Sequence, residues 1–315
     1  MLEAICEDLL QSGEYNVCTT SDQRVTLSDI SGLEVIDVAS PNQEWEMFQK
    51  LARHRDGTIV IAPELDGILF DRIEWLEQIG LNRLMSSAKA VRTCADKWLF
   101  YQFCLEHEIP TPGTCQCQDE FAEDFEFPLP FPFVIKPQLG AGTTMTAVIE
   151  SKESWLEFSS RRTTEDDFPP YLLQTFLAGE PVSIACIISP DGKRIEWCPM
   201  TKQLFEGLEY RGGIVPCESE LAQQVRGMAE KVVKNLPGLR GYIGFDFLLS
   251  PDSDQPVQIL EINSRLTTSY LGYRAIATES LVERFIHSEI NSPLQWRSKQ
   301  VQFDTHGKLL FLHGR

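Results

Sequence analysis

Gly244-Phe245-Asp246-Phe247-Leu248-Leu249 and Val257-Gln258-Ile259-Leu260-Glu261-Ile262-Asn263 decide how this chain is read. Both runs are apolar and rich in strand-forming residues. They flank Ser250-Pro251-Asp252-Ser253-Asp254-Gln255-Pro256, a turn by composition, so the pair predicts an antiparallel hairpin. The midpoint of positions 246 and 261 falls inside that turn, which sets Asp246 opposite Glu261 if the hairpin is regular. Like charges directly opposite destabilise a ladder, and Phe245, Phe247, Ile259 and Ile262 around them add a burial cost. Asn263 shares the face of Glu261, and Arg265 continues it. Two carboxylates and an amide oxygen make a hard, oxygen-only set suited to Mg²⁺. The competing reading is one solvated carboxylate on each strand with a bulge between them.

Upstream, Val134-Ile135-Lys136-Pro137-Gln138-Leu139-Gly140-Ala141-Gly142-Thr143-Thr144 sets a lysine at the end of an apolar strand, ahead of a flexible loop. Gly140 and Gly142 permit close backbone approach, and Thr143 and Thr144 add hydroxyl donors, a pattern that fits phosphate oxygens. A plain Gly/Thr hairpin turn explains the same residues. Lys97, in Ala95-Asp96-Lys97-Trp98, reads by itself as a surface lysine. Gln174-Thr175-Phe176-Leu177-Ala178-Gly179-Glu180 runs from a strand into a turn. There Phe176 and Leu177 are suited to sandwich a flat base and Glu180 to take ribose hydroxyls, although a strand end with a solvated glutamate fits equally. Lys202 is similarly open.

The 315 residues are 43% hydrophobic, enough for a sizeable core and for about two domains or one fold of several lobes. Lys and Arg total 28 against 46 Asp and Glu, a net charge of -18. So acidic a chain is repelled by nucleic-acid backbones and anionic lipid, and an anionic ligand needs locally placed cations. No apolar run reaches the ~18 residues of a membrane span. Met1 to Gln11 has no basic residue, unlike a signal peptide. Nine cysteines without a CxxC read as reduced thiols in a cytoplasmic protein, with Cys115 and Cys117 as ordinary loop thiols. The chain carries no GxSxG, HExxH or GxxxxGK[ST] pattern.

Residues 1–93 alternate helix and strand as an α/β lobe with a mostly parallel sheet. Strands are expected at 15–20, 33–39 and 58–62, and helices at 2–11, 41–53 and 68–79. The opening helix is unusual for such a lobe; either the order differs here or Met1 lies inside a longer gene product. Ser87 to Glu108 predicts one long helix or two abutting ones. From Phe133 the pattern turns to hairpins, with strands at 133–137, 145–150, 171–176, 182–189, 194–200, 242–249 and 257–263. Helices are expected at 218–234 and 276–288.

Taken in order, Asp96-Lys97, Val134-Ile135-Lys136-Pro137, Gly140-Ala141-Gly142-Thr143, Gln174 to Glu180, Gly244-Phe245-Asp246-Phe247 and Leu260-Glu261-Ile262-Asn263-Ser264-Arg265 resemble the ATP-grasp superfamily over roughly residues 15–290. The resemblance implies an α/β N-terminal lobe (1–93) plus two α+β lobes: a central one (94–176) with the Gly-rich loop and a C-terminal one (177–315) with the metal site. It implies that Lys97 and Lys136 contact ATP phosphates and that Gln174, Phe176, Leu177 and Glu180 form the nucleotide hinge. Asp246, Glu261 and Asn263 would hold two Mg²⁺ (or Mn²⁺). Ile59-Val60-Ile61-Ala62-Pro63-Glu64-Leu65-Asp66-Gly67 and Arg265-Leu266-Thr267-Thr268-Ser269-Tyr270-Leu271-Gly272 are further similar to the tyramine–L-glutamate ligases of methanofuran-type coenzyme synthesis. Ser264 stands where the superfamily usually has proline, and the lobe's usual first strand is missing.

The implied activity is an ATP-dependent carboxylate–amine ligase working through an acyl phosphate. Lys202 would help offset the phosphate charge and Arg265 would steady the transition state. Its partners are a small-molecule carboxylate and an amine, with neither nucleic acid nor membrane, and a homodimer is the assembly considered. A nucleotide-binding regulator without turnover, or a ligase of another amino acid on the same scaffold, are the alternatives.

Overall fold

The computed structural model describes residues 1–117, 127–140, 145–160, 170–290 and 292–312. Helix α1 (Leu2–Gln11) buries Ala4 and Ile5 in a cluster with Tyr242, Tyr270 and Phe285 from far along the chain. Its Asp8 accepts from Tyr270 Oη and from Arg274, which fastens the helix to the C-terminal part. Strands β1 (Cys18–Asp22) and β2 (Glu34–Val38) pair in parallel, as expected. Helix α2 (Pro41–Ala52) follows, with Ser40 Oγ accepting from Gln43 N–H and proline at the first position.

Residues 58–62, expected to be a third strand, join no ladder among the described residues. Val60 is buried with Leu69, Ile73 and Leu76, while Ile59 and Ile61 also touch the Tyr270 cluster. The apolar run therefore records packing between two clusters, which hydrophobicity alone does not separate from strand pairing. Helix α3 (Ile68–Gln78) packs on α4 (Ala88–Ala95) in the first of these clusters. The stretch from Ser87 to Glu108 is two helices. Asp96 is extended (φ -94°, ψ 106°), and its carboxylate caps α5 (Lys97–Glu106) by accepting from Trp98 and Leu99 N–H.

The second layer is an antiparallel sheet of β3 (Thr114–Cys117), β4 (Phe133–Pro137), β5 (Ala147–Ile149) and β6 (Tyr171–Thr175), in spatial order β3-β6-β4-β5. Cys115 and Cys117 lie in β3 and not in a loop. Helix α6 (Lys152–Ser160) buries Trp155 against Phe127 and Phe133.

The largest sheet contains β7 (Glu180–Ile188), β8 (Ile195–Trp197), β9 (Thr201–Glu206) and β10 (Glu209–Val215). After α7 (Ala222–Asn235) come β11 (Gly241–Leu249) and β12 (Val257–Asn263). Helices α8 (Ser269–Ile276) and α9 (Val282–Ile286) precede β13 (Gln300–Asp304) and β14 (Leu309–Leu312). The order is β12-β11-β7-β9-β10-β13-β14, with β8 beside β7. The single helix expected at 276–288 is thus the end of α8, a break, and the short α9. Strand alternation divides the faces of this sheet. Ile243, Phe245, Phe247 and Leu249 pack with Val225, Ala229 and Val232 of α7. On the opposite face Tyr242 joins the α8 and α9 core, and farther along β11 Asp246 and Leu248 line a cavity.

Candidate active site

Asp246 and Glu261 are direct cross-strand partners. The register slips one step beyond them: Phe247 faces Ile259, and Leu260 is the extra residue of a β-bulge. Opposed carboxylates and a bulge, posed as rival readings of the sequence, occur together. The bulge is what allows neighbours Leu260 and Glu261 both to line the cavity, which a regular strand forbids. Asn263 Nδ2 donates to Asp246 Oδ2 at 3.0 Å, and Gln203 Nε2 donates to Asp246 Oδ1 at 2.7 Å. Burial, and then the charge of Glu261, push the Asp246 carboxyl well above its ordinary range. Burial also pushes on Glu261, but Lys97 and Lys136 outweigh it and hold that carboxyl below its ordinary value. Two opposed carboxylates in a buried site are an arrangement that a divalent cation relieves.

Lys136 is buried and donates to Gln174 Oε1 at 2.8 Å, and Gln174 Nε2 in turn donates to Thr114 Oγ1 at 2.9 Å. Burial, with the Lys97 charge adding to it, brings the Lys136 ammonium down to about 8, against the pull of Glu261. Lys97 Nζ donates to Gly140 O at 2.6 Å, and Gln138 Nε2 donates to both oxygens of Asp96. The helix start and the root of the Gly-rich segment are therefore tied together. Arg265 Nε donates to Glu64 Oε2 at 2.7 Å, and its Nη2 reaches Asn263 Oδ1 at 3.4 Å.

These groups surround one cavity of about 540 Å³ between the two antiparallel sheets, within the usual range for a small-ligand site. Lys97, Lys136, Gly140, Gln174, Phe176, Leu177, Asp246, Glu261, Asn263 and Arg265 all line it. From Leu248 to Asp246 and on through Asn263 to Arg265, the hairpin leads from an apolar end to an ionic one. Gln174, expected in the nucleotide hinge, spends its carbonyl oxygen on Lys136. Gly142 and Thr143 lie outside the described residues.

Lys202 and Glu180 are not among the lining residues; they pair with each other at 2.5 Å, both partly exposed. Alternation is the reason. Gln203 and Phe205 of β9 face the cavity, so Lys202 takes the other face, and Glu180 pairs with Leu249, on the α7 face of β11. Gln203, Phe205 and Tyr210 were missed from sequence. The signal was the β9–β10 hairpin around Gly207, whose φ is +61°. Glu64 was quoted only as part of a segment; that it meets Arg265, 201 positions away, is a tertiary fact.

A model of the ATP-grasp domain matches residues 94–269, more than half of the chain. This chain belongs to the ATP-grasp family. A pre ATP-grasp domain model matches residues 15–91 of the ATP-grasp chain. It is 26% identical to tyramine–L-glutamate ligase of Methanocaldococcus jannaschii over 277 residues, 87% of this chain and 77% of that protein. It is 26% identical to the same-named ligase of Methanocaldococcus fervens over 314 residues, 94% of each. The crystal structure of an L-amino acid ligase from Bacillus licheniformis matches its fold with a TM-score of 0.74 at 14% identity, covering 95% of this chain and 75% of that one. The α/β layer and the two sheets around the cavity are thus the ATP-grasp fold.

Proposed function

We propose that this protein joins the carboxylate of glutamate to a primary amine such as tyramine, with ATP cleaved to ADP and phosphate. It is an ATP-dependent carboxylate–amine ligase. The observation that carries the reading is the opposed Asp246–Glu261 pair, with Asn263 beside it and Lys97 and Lys136 at the same cavity. The donor set fits Mg²⁺: all oxygen, with two carboxylates set opposite one another at the cavity. Mg²⁺ bound by Asp246, Glu261 and Asn263 supplies charge neutralisation for the transferring phosphoryl group.

The protein's own part is to bind and position. Lys136, braced by Gln174 and Thr114, presents one ammonium to phosphate oxygens, and Lys97 presents another while anchoring Gly140. Phe176, Leu177, Leu248 and Leu260 make the apolar end suited to a flat base. Arg265, oriented by Glu64 and Asn263, lies at the ionic end and steadies the charge that develops as a carboxylate attacks phosphorus. The amine then displaces phosphate from the acyl phosphate. Excluding water protects that intermediate, the role proposed for the segment holding Gly142 and Thr143. Glu180 and Lys202, paired with each other on the α7 face of the sheet, take no part in this reading.

Both substrates are small molecules. Among the described residues no helix is long and apolar enough to cross a membrane, and the nine cysteines are free thiols, which fits a cytoplasmic setting. The test is a screen of glutamate with tyramine and other amines, read as ADP release. ADP formation that needs both acid and amine is expected. ATP binding without acid-dependent ADP release would leave a nucleotide-binding regulator and overturn the ligase reading.

A further inference from the structure

Gln203 reaches Asp246 from two strands away. It stands on β9, lines the cavity, and has β7 between it and the β11 strand of Asp246. Two strand spacings amount to about 10 Å, yet Gln203 Nε2 donates to Asp246 Oδ1 at 2.7 Å. Small side chains on β7 keep that path open. Pro181, Ser183 and Ala185 share one face of the strand. Pro181 lines the cavity, Ser183 is the cross-strand partner of Asp246, and Ala185 joins the α8 cluster. A leucine at position 183 would stand between the amide and the carboxylate.

The bond fixes which oxygen of Asp246 is left for a cation. Asn263 Nδ2 lies 3.0 Å from Asp246 Oδ2 and 3.5 Å from Glu261 Oε1, so Oδ2 is the oxygen on the Glu261 side. With Oδ1 held from β9, the carboxylate plane cannot turn and Oδ2 stays on that side. The residue type matters as well. Asparagine is a methylene short of this reach. Lysine and arginine span it but set a positive charge against the cation, and glutamate has no N–H to give. Glutamine is the long, flexible side chain that donates without a charge.

On the metal reading above, the geometry points to Gln203 as a positioning residue of the metal site, which orients Asp246 for a divalent cation shared with Glu261 and Asn263. It touches the ligand and not the ion. Removing partners of this kind typically costs about 10–100-fold in metal affinity.

Mn²⁺ binding to the full chain without nucleotide, followed through the electron paramagnetic resonance signal of the free ion, tests the assignment. Gln203→Leu keeps the bulk and removes the donor. Its Mn²⁺ Kd should rise about 10–100-fold, with ATP affinity in EDTA changed less than about twofold and the urea midpoint unmoved. The Mg²⁺ concentration that half-saturates ADP formation should rise in the same proportion. Gln203→Asn keeps the amide but not the reach, and should lose as much Mn²⁺ affinity as Gln203→Leu. An unchanged Mn²⁺ Kd in Gln203→Leu, wild-type affinity in Gln203→Asn, or an equal loss of metal-free ATP binding would overturn the assignment. Asp246→Asn separates this inference from the reading beneath it. Mn²⁺ binding that survives Asp246→Asn would overturn the metal site and the role of Gln203 together. Binding lost in Asp246→Asn but kept in Gln203→Leu would overturn the role of Gln203 alone.

Discussion

Lys136 makes nucleotide binding a proton-uptake reaction above neutral pH. Its ammonium is held down to about 8 against an ordinary 10.5, chiefly by burial. At about 1.4 kcal/mol per pH unit, the charged form is disfavoured in the free protein by about 3 kcal/mol. Folding bears that whole cost below pH 8, where the lysine is charged in both states. Between 8 and 10.5 the unfolded chain keeps the proton that the folded one has lost, so this contribution to stability improves as pH rises.

Phosphate oxygens beside Nζ reverse the preference and return the proton. If the bound complex restores an ordinary lysine, MgATP affinity should fall by about tenfold between pH 7 and pH 9. Isothermal titration in two buffers of different ionisation enthalpy measures both the affinity and the proton count. Proton uptake approaching one per ATP is expected at pH 9, and little at pH 7. Lys136→Met should bind MgATP weakly at both values, with no uptake, while its free form is stabilised at pH 7. A wild-type affinity that is flat from pH 7 to 9 without proton uptake would refute the burial argument. So would a slope that survives in Lys136→Met.

Three further outcomes are specific enough to measure. Glu261→Gln should abolish Mg²⁺-dependent ADP formation and bring the Asp246 carboxyl down toward its ordinary range, because the opposing charge is gone; full activity in the variant would remove the metal assignment. Arg284→Met should cost about 3 kcal/mol in urea unfolding, because Arg284 is fully buried and bonds the largely buried Glu196 at 2.5 Å, leaving Arg194 as that carboxylate's remaining cation. Gly212→Ala should lower the thermal midpoint sharply: φ is +129°, and an added Cβ would lie 2.0 Å from Phe303 O across the β10–β13 ladder. A midpoint unchanged within a degree would contradict that close approach.

The β11–β12 hairpin was legible because local patterning and turn chemistry agree there, and the pairing of Asp246 with Glu261 followed by arithmetic. The bulge at Leu260 was not, since a slip of one residue depends on what both faces pack against. Residues 58–62 show the converse error. Their composition marks burial, and only the surrounding clusters reveal that no ladder partner lies beside them among the described residues. Lys202 was misjudged because its residue type suited phosphate, whereas its parity along β9 turned it away from the cavity that Gln203 lines. The β9–β10 and β13–β14 hairpins carry weaker alternation and passed unread.

By itself the sequence determined residue chemistry, local periodicity and the order of motifs along the chain. The order of the motifs carried the resemblance to the ATP-grasp superfamily, and with it the fold and most of the cavity's charged groups, while period-two alternation and turn residues, which act over a few positions, placed the β11–β12 hairpin. Tertiary structure alone decided which charges meet across long separations. It joined Glu64 to Arg265, spent Gln174 on Lys136, and turned Glu180 and Lys202 toward one another. Such pairings follow from how layers close over a shared core, and no short-range pattern encodes that closure. A chain of net charge -18 thus gathers two lysines and an arginine around a single cavity.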